Sequence, residues 1–565
     1  SLLFRIISII RIIGALTAPI QDCDEVYNYY EPLHFLQFGA GKQTWEYAPQ
    51  FALRSYGFLN IYKWAVGLLH FVFGFRSKVQ VFYALRILAA LISGLCEAAL
   101  VRAIATYVDK RIANYTALAL FGMAGMYHSA SALLPSTFAM YLGALGSAAA
   151  MIPPTIDGDH LYRRTVPAVV AFVAAAGCGW PYAAIVAVPF ALEELLERGV
   201  SSGSGSAPSL WRVQRVVAMA VVGVLALAVV LGSLCLVDSW YYGRMVVAAW
   251  NQVSYNVFGG SGGPELYGTE PWHFYIKNGL VNANLVMVLG LLSLPLLAVE
   301  KLYTSHRLLL YRITPFYLAF LVFSLQPHKE ERFMSIVYPN LCFNAAVSLS
   351  LLHPLRAWAA SMLGGAKRGG QGKSDRLNMA ILLAAGALGL LRMAALNRYY
   401  SAPVNAFMEL PGHSPKASGG DRPLLPLGPV VCMGKDWYRF PSSYWLPEGY
   451  RLEFIQSRFD GHLPGSFAPV GTSGSARAST SMERTDFNGL NKWEPSHVVQ
   501  SLERDCDFVV DVDFPDAQYD AEGGDIEMPF ARRISKSDGS WKAVGCHDIL
   551  DAQGSSALGR VLYVP

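Results

Sequence analysis

The sequence predicts an all-α polytopic membrane protein with a mostly β domain after its last membrane helix. Composition is the first observation, because 53% of the 565 residues are hydrophobic and only 15% are charged. A soluble globular chain carries about 25% charge. The second observation is that long apolar runs recur to residue 397, and about 20 apolar residues cross a bilayer. The third is the change after residue 397, where Pro, Gly and Ser become frequent.

The apolar runs predict about eleven transmembrane helices. The candidate spans are 2–17, 57–75, 81–107, 112–127, 130–151, 166–196, 213–237, 279–300, 308–325, 334–352 and 377–397. The run 166–196 is interrupted by a Gly-Cys-Gly-Trp-Pro sequence at 177–181. It therefore forms either one broken helix or two short ones.

Basic residues between the apolar runs predict the orientation of the chain. Cytoplasmic loops of membrane proteins are enriched in Lys and Arg, and the segments 197–215, 301–307 and 353–376 carry several of them. We therefore assign these three segments to the cytosol. Arg163 and Arg164 are an exception, because in this assignment they fall on the opposite side.

The opposite side is expected to hold the remaining long polar segments. These are the loops 18–56, 238–278 and 326–333 and the tail 398–565. We expect residues 1–397 to form one membrane module and residues 398–565 a separate, mostly β domain with strand-like runs such as Phe508–Val512. Residues 411–428 are its expected linker, and the Ser/Gly run 201–206 is an expected flexible cytosolic linker.

Cysteines outside the apolar runs predict disulfide bonding in the tail. Cys432, Cys506 and Cys546 all lie there. If that side of the membrane is an oxidising compartment, some of the three are expected to pair. Spacing does not determine which.

Several classes of protein are excluded by charge and motif content. The net charge of +4 is small and no basic patch with interleaved aromatic residues is present, which argues against nucleic-acid binding. No phosphate-binding loop, dinucleotide fingerprint or Cys/His zinc spacing occurs in the sequence. We therefore expect neither a cofactor nor a metal.

The loop 18–56 is the first candidate for chemistry. It is acidic and rich in aromatic residues, which suits a helix lying on the membrane surface. Asp24, Asn28 and Glu31 stand at i, i+4 and i+7, on one face of a predicted α-helix. A carboxylate on that face is able to act as a general base for a hydroxyl nucleophile. The alternative is a solvated acidic face near a helix start, and spacing does not separate the two.

The loop 326–333 is the second candidate. Pro327 fits the first position of a helix, whose free N–H groups would favour an anion. His328, Lys329 and Arg332 follow, and together they suit a phosphate held by charge-assisted hydrogen bonds. The alternative is a charged turn whose two glutamates pair locally, although so many polar residues between two spans are costly unless they are used.

The loop 238–278 is the third candidate. Its Tyr, Trp and Arg residues suit a sugar face or a phosphate, so we single out Arg244, Tyr267, Glu270, Trp272 and His273. Aromatic stretches of this kind also form belts at the membrane interface. That alternative applies to most of these residues.

An acidic loop and a basic loop on one side of the membrane predict a group transfer. A lipid-linked phosphate donor, a hydroxyl acceptor, a carboxylate base and cations that stabilise the departing phosphate form a consistent set. A glycosidase would instead need two carboxylates flanking the sugar. A lipid transporter or flippase would place ionisable residues within spans and show inverted repeats, and a non-catalytic scaffold is a third alternative.

Five sequence segments resemble parts of one glycosyltransferase family. The segments Asp22–Glu25 and Asn28–His34 look like the first luminal loop of the dolichyl-phosphate-mannose-dependent mannosyltransferases of glycosyltransferase family 22. His328–Phe333 resembles the signature of that family, and Asp238–Gly243 is similar to another family segment. In the tail, Gly434–Ser443 matches the pattern of the α-1,2-mannosyltransferases of N-glycan assembly.

The resemblance implies a GT-C fold in the endoplasmic reticulum membrane, with the active site on the luminal side. It implies dolichyl phosphate mannose as donor and a dolichyl-diphosphate oligosaccharide as acceptor. It further implies α-1,2-mannose addition to the six- and eight-mannose intermediates with inversion at the anomeric carbon. A related enzyme that extends glycosylphosphatidylinositol or adds α-1,6-mannose is the nearest alternative, and the tail motif argues against it.

The resemblance also implies roles for individual residues. The family often reads His-Pro-Asp-Glu where this chain has Asp22–Glu25, so the catalytic acids map onto Asp24, as base, and Glu25. His328, Lys329 and Arg332 map onto the basic signature, where we expect the donor phosphate. The expected acceptor or sugar contacts are Asp22, Tyr27, Glu31, Trp45, Arg244, Tyr267, Glu270, Trp272 and His273.

Overall fold

The computed structural model describes ten stretches of the chain. They are residues 2–155, 159–199, 210–258, 264–300, 307–362, 371–413, 428–469, 475–514, 527–534 and 541–551. The expected linker 201–206 and most of the expected linker 411–428 lie outside the described residues.

The described residues are mostly helical. The α-helices are α1 Leu2–Thr17, α2 Cys23–Glu25, α3 Glu31–Phe38, α4 Tyr56–Phe73, α5 Lys78–Tyr107, α6 Lys110–Gly122, α7 Ala124–Ser129, α8 Pro135–Ala150, α9 Val166–Ala174, α10 Val188–Leu196, α11 Trp211–Tyr242, α12 Ala248–Phe258, α13 Phe274–Ala283, α14 Leu285–Glu300, α15 Arg307–Leu325, α16 Tyr338–Met362, α17 Gln371–Tyr400, α18 Ala402–Met408, α19 Ala476–Thr480, α20 Leu502–Asp505 and α21 Phe530–Ile534. The strands are β1 Lys42–Gln43, β2 Val430–Met433, β3 Arg451–Phe454, β4 Gly465–Ser466 and β5 Phe508–Val510.

Six helical stretches of the described chain are long and apolar enough to cross a membrane. They are Lys78–Tyr107, Leu161–Gly179, Trp211–Tyr242, Arg307–Leu325, Glu331–Leu352 and Asp375–Tyr400, and Leu285–Val299 is a shorter apolar helix. The polytopic character predicted from composition is therefore confirmed. All six overlap predicted spans.

The chain divides into two compact units. The first contains Ser1–Thr17, Arg86–Ser233 and Gly268–Ala394, and the second contains Ala18–Leu85, Leu234–Tyr267 and Ala395–Pro565. The tail thus shares a unit with the first polar loop and with part of the third candidate loop.

In the first unit, α1 and α5 are antiparallel. Arg86 Nε, at the start of α5, donates to the carbonyl of Ala15 near the end of α1, and Arg11 pairs with Glu97 further along. The chain therefore leaves α1 and enters α5 at the same end. It makes no net crossing between them, so the predicted span 57–75 is wrong. The segment forms α4 of the second unit instead.

Thr155 and Arg164 lie beside the end of α10 and the start of α11. Arg164 pairs with Glu193 and Glu194 at 2.7 Å each, and Arg215 Nη2 donates to the carbonyl of Thr155 at 2.8 Å. Arg163 and Arg164 are therefore no exception to the basic side, and their assignment to the opposite side is wrong. Between these contacts the chain goes out through α9 and returns through α10, so the run 166–196 forms two short segments.

The second unit contains the small sheets. Strand β2 pairs in parallel with β3 and β5, and β1 pairs antiparallel with β4. The predicted strand at 508–512 is confirmed for Phe508–Val510, which form β5. Short helices and loops nevertheless make up most of the described tail, so the mostly β expectation is wrong there. Cys432 of β2 forms a disulfide with Cys506, which settles the pairing that spacing left open.

Candidate active site

The acidic loop begins with a capped turn in the second unit. Asp22 accepts a hydrogen bond from the Asp24 backbone N–H at 2.9 Å and caps α2. A π-helix, Val26–Tyr30, separates α2 from α3. Its wider turns rotate the residues that follow it around the helix axis, relative to their positions in a continuous α-helix. The expectation that Asp24, Asn28 and Glu31 share one α-helical face is therefore wrong.

Asp24 is a partly exposed carboxylate of this turn, as is Asp22, whose carboxylate is used to cap α2. Its side chain is 34% exposed, with Oδ2 3.7 Å from Arg54 Nη2. Glu25 and Glu31 are 4% and 0% exposed. A base has to reach the acceptor hydroxyl, so Asp24 is better placed for that role than its two acidic neighbours.

Arg54 organises this turn through its hydrogen bonds and ion pairs. It donates to Glu46 Oε1 at 2.8 Å and to the Tyr29 hydroxyl at 2.6 Å. Burial opposes its charge, but Glu46, Tyr29 and Asp24 keep the pKa of the guanidinium above its ordinary value. Arg54 is thus a permanent cation beside Asp24. No local sequence pattern indicates this pairing.

Glu31 connects the loop to the tail. Its carboxylate accepts from the backbone N–H groups of Lys42 and Ser443 and from the hydroxyls of Ser442 and Ser443, at 2.6–3.1 Å. Burial raises the pKa of Glu31, while these hydrogen bonds lower it. Both segments were singled out from the sequence, but their contact was not predicted.

Two aromatic residues expected near a sugar lie in the core of the second unit. Tyr27 is 2% exposed and donates to the carbonyl of Trp437 at 2.7 Å. Trp45 is 6% exposed and packs against Phe51 and Tyr255. Both side chains are therefore packing residues that support the loop 18–56.

The remaining candidates of the second unit are more accessible. Arg244 is exposed and donates to the carbonyl of Pro49. The side chain of Tyr267 is 42% exposed. Nearby, Asp238 accepts from Gly57 N–H at 2.8 Å, which fixes the start of α4.

The basic signature, His328–Phe333, lies in the first unit. Its charged side chains pair with one another. His328 Nε2 contacts Glu330 Oε1 at 2.8 Å, and Arg332 Nη2 contacts Glu330 Oε2 at 2.5 Å. His328 Nδ1 contacts the carbonyl of Gly268 at 2.9 Å. The hydrogen bond to Glu330 raises the pKa of His328 above its ordinary value. With acceptors at both ring nitrogens, the imidazolium form fits this site.

Lys329 is occupied by backbone carbonyls. It is 6% exposed, and its ammonium donates to the carbonyls of Glu270 and Gln326. The N–H of Glu270 in turn donates to the carbonyl of Pro327 at 3.0 Å. The helix after the loop is a 3-10 helix, Glu331–Val337, so the expected helix start at Pro327 is wrong.

Glu331 is held by two residues that sequence reasoning missed. His128 Nε2 contacts its Oε1 at 2.9 Å and Asn278 Nδ2 donates to its Oε2 at 2.9 Å. His128 comes from α7, some 200 residues away in the chain, and no local signal relates the two. Beside this network, Trp272 is 69% exposed, Glu270 is exposed and His273 is half-buried.

Among the described residues, Asp22, Cys23 and Asp24 each place one ligand atom within 4.8 Å of the others. Carboxylates and a thiolate are ligands that divalent cations accept. The guanidinium of Arg54 beside Asp24 supplies competing positive charge. The absence of a metal therefore stays a prediction, which a chelator tests.

Comparison with known proteins places the chain among mannosyltransferases. A family profile described as "Alg9-like mannosyltransferase family" matches residues 2–447. Alpha-1,2-mannosyltransferase alg9 of Schizosaccharomyces pombe is 33% identical over 100% of this chain and 92% of its own length. The human Alpha-1,2-mannosyltransferase ALG9 is 34% identical over 100% of this chain and 85% of its own length.

A solved structure shows the fold. ArnT from Cupriavidus metallidurans bound to undecaprenyl phosphate superimposes with a TM-score of 0.51 at 12% identity, over 80% of this chain and 85% of that one. At this identity the likeness concerns the fold alone, which is the GT-C fold.

Proposed function

The chain belongs to the Alg9-like mannosyltransferase family, and from this premise we propose that it transfers mannose from dolichyl phosphate mannose to a dolichyl-diphosphate-linked oligosaccharide. The chain is a glycosyltransferase enzyme of the α-1,2-mannosyltransferase class and a polytopic membrane protein. The proposal adds the donor, the six- and eight-mannose acceptors and an active site facing the endoplasmic reticulum lumen.

Asp24 is the proposed general base. The acceptor hydroxyl oxygen bonds to the anomeric carbon of mannose while the bond from that carbon to the phosphate oxygen breaks. The hydroxyl proton goes to Asp24, and the phosphate leaves as a dolichyl phosphate monoester. One direct displacement inverts a β-linked donor into an α-linked product. The observation that carries this role is the 34% exposure of the Asp24 side chain beside buried Glu25 and Glu31.

His328 and Arg332 are the proposed contacts of the donor phosphate. Cations of this kind stabilise the charge that grows on the leaving oxygen. Lys329 adds positive charge nearby, while its bonds to the carbonyls of Glu270 and Gln326 hold the loop closed.

The proposed sugar and acceptor contacts divide by exposure. Exposed or half-buried side chains are assigned to direct contact with sugar hydroxyls or faces: Asp22, Arg244, Tyr267, Glu270, Trp272 and His273. The buried residues Tyr27, Glu31 and Trp45, together with Glu25, are assigned to positioning of the loop.

The experiment is a transfer assay on purified protein in lipid nanodiscs. Donor is supplied with each oligosaccharide acceptor, with and without chelator, and the product linkage is identified. Asp24→Asn should abolish transfer and retain donor binding. Asp460→Asn, an exposed aspartate of the same unit, is the matched control and should keep wild-type turnover. Normal turnover by Asp24→Asn refutes the assignment of the base.

The same assay separates the alternatives. An α-1,6 linkage, or transfer only to a glycosylphosphatidylinositol precursor, would identify the related enzyme. Movement of lipid across the bilayer without any mannosylated product would identify a transporter. A wild-type protein that forms no mannosylated product and moves no lipid would identify a non-catalytic scaffold.

A further inference from the structure

Glu330 holds both cations of the basic signature that we assign to the donor phosphate. One carboxylate oxygen lies 2.8 Å from His328 Nε2 and the other 2.5 Å from Arg332 Nη2. A carboxylate that bridges two cations in this way presents the same charge and acceptor geometry as two phosphate oxygens. Glu330 is therefore an internal substitute for the anion that these cations bind.

Glu330 bridges these two cations with its two carboxylate oxygens. Glu331 faces away, toward His128 and Asn278. When a phosphate contacts His328 and Arg332, the negative charge of Glu330 stays within a few ångströms of it, because the residue lies between them in the chain. Every additional negative charge on that phosphate is then repelled.

Resting on the proposed function, we propose that Glu330 determines specificity between the donor and the spent lipid, by weakening the binding of dolichyl phosphate more than that of dolichyl phosphate mannose. The donor is a phosphodiester with one negative charge. The product is a phosphomonoester that carries about −1.5 to −2 at neutral pH. Repulsion by Glu330 therefore acts more strongly on the product, which promotes its release and limits product inhibition.

The experiment measures two constants for each variant in nanodiscs: the KM for donor and the inhibition constant of dolichyl phosphate. In Glu330→Gln the ratio of inhibition constant to KM should fall about fivefold, the effect of one extra charge at contact distance in a solvent-screened site. Glu330→Asp keeps the charge and Glu331→Gln removes one that faces elsewhere, so both should keep the wild-type ratio. A merely structural role for Glu330 would raise both constants together, and an unchanged ratio in Glu330→Gln overturns the proposal.

A second measurement needs only the wild-type protein. The methyl ester of dolichyl phosphate is a diester with one negative charge. It should inhibit about fivefold more strongly than dolichyl phosphate at pH 7.5, since it lacks the second charge. Stronger inhibition by the monoester overturns the proposal even if no variant folds. Failure of the proposed function is distinguishable, because the wild-type protein would then form no mannosylated product.

Discussion

Replacing Glu31 by Ala should destabilise the second unit strongly. The Glu31 carboxylate is fully buried and accepts four hydrogen bonds from Lys42, Ser442 and Ser443. Each donor left buried without a partner costs about 1–3 kcal/mol. With four donors, even the lower end of that range gives about 4 kcal/mol of lost stability.

The assay is thermal unfolding in detergent, followed by tryptophan fluorescence and by protease resistance of the tail. A loss of this size should lower the Tm by at least about 5 °C. Glu503→Ala is the matched control, because Glu503 is an exposed glutamate of the same unit. Surface substitutions usually change stability by less than about 0.5 kcal/mol, so its Tm should stay near that of the wild type. A Glu31→Ala protein that melts within about 1 °C of the wild type would refute the reasoning.

Three further predictions concern other parts of the chain. Arg11 and Glu97 form a buried ion pair in the first unit, so Arg11→Met alone should cost about 3–5 kcal/mol, and adding Glu97→Met should recover most of the loss in a thermal assay. Replacing Cys432 and Cys506 by Ser opens a loop with a sequence separation of 74 and should cost about 4 kcal/mol, measured by urea unfolding. Donor KM should rise as the pH increases through the raised pKa of His328, because the imidazolium that binds phosphate is lost, and His328→Lys should shift that rise to higher pH.

For each of these three predictions, one result would contradict the reasoning. A double variant as unstable as Arg11→Met would show that Arg11 acts through packing rather than through its charge. Cys546 is free and exposed, so Cys546→Ser is the control for the disulfide, and equal loss in both would contradict the reasoning. A donor KM that is constant from pH 6 to 8.5 would show that the His328 imidazolium does not contribute to donor binding.

The ion pairs within the first unit bear on the transporter alternative. Arg164 contacts both Glu193 and Glu194, and His160 contacts Glu194 at 2.9 Å. A transporter places such groups along a pathway that alternates between two sides. Here they bond to one another while nearly fully buried, which is the arrangement of a structural cluster that ties chain segments together.

The sequence by itself determined the class of protein and the segments that matter. Charge content and apolar run length predict membrane helices because the bilayer excludes unpaired polar groups. The motifs at 22–25, 328–333 and 434–443 were recognisable because they are contiguous in the chain. The acidic loop and the basic loop were therefore each singled out before any coordinates were considered.

Only the tertiary structure decided what each polar residue does within those segments. Glu31 and Asp24 look alike in the sequence, yet one is enclosed by serines of the tail and the other is one-third exposed. The contact of His128 with Glu331 joins residues that are far apart in the sequence. The finding that α4 does not span the membrane likewise depends on contacts between distant segments, those of α1 with α5. Local periodicity carries no information about such contacts, because they are selected by packing and by the satisfaction of buried hydrogen bonds.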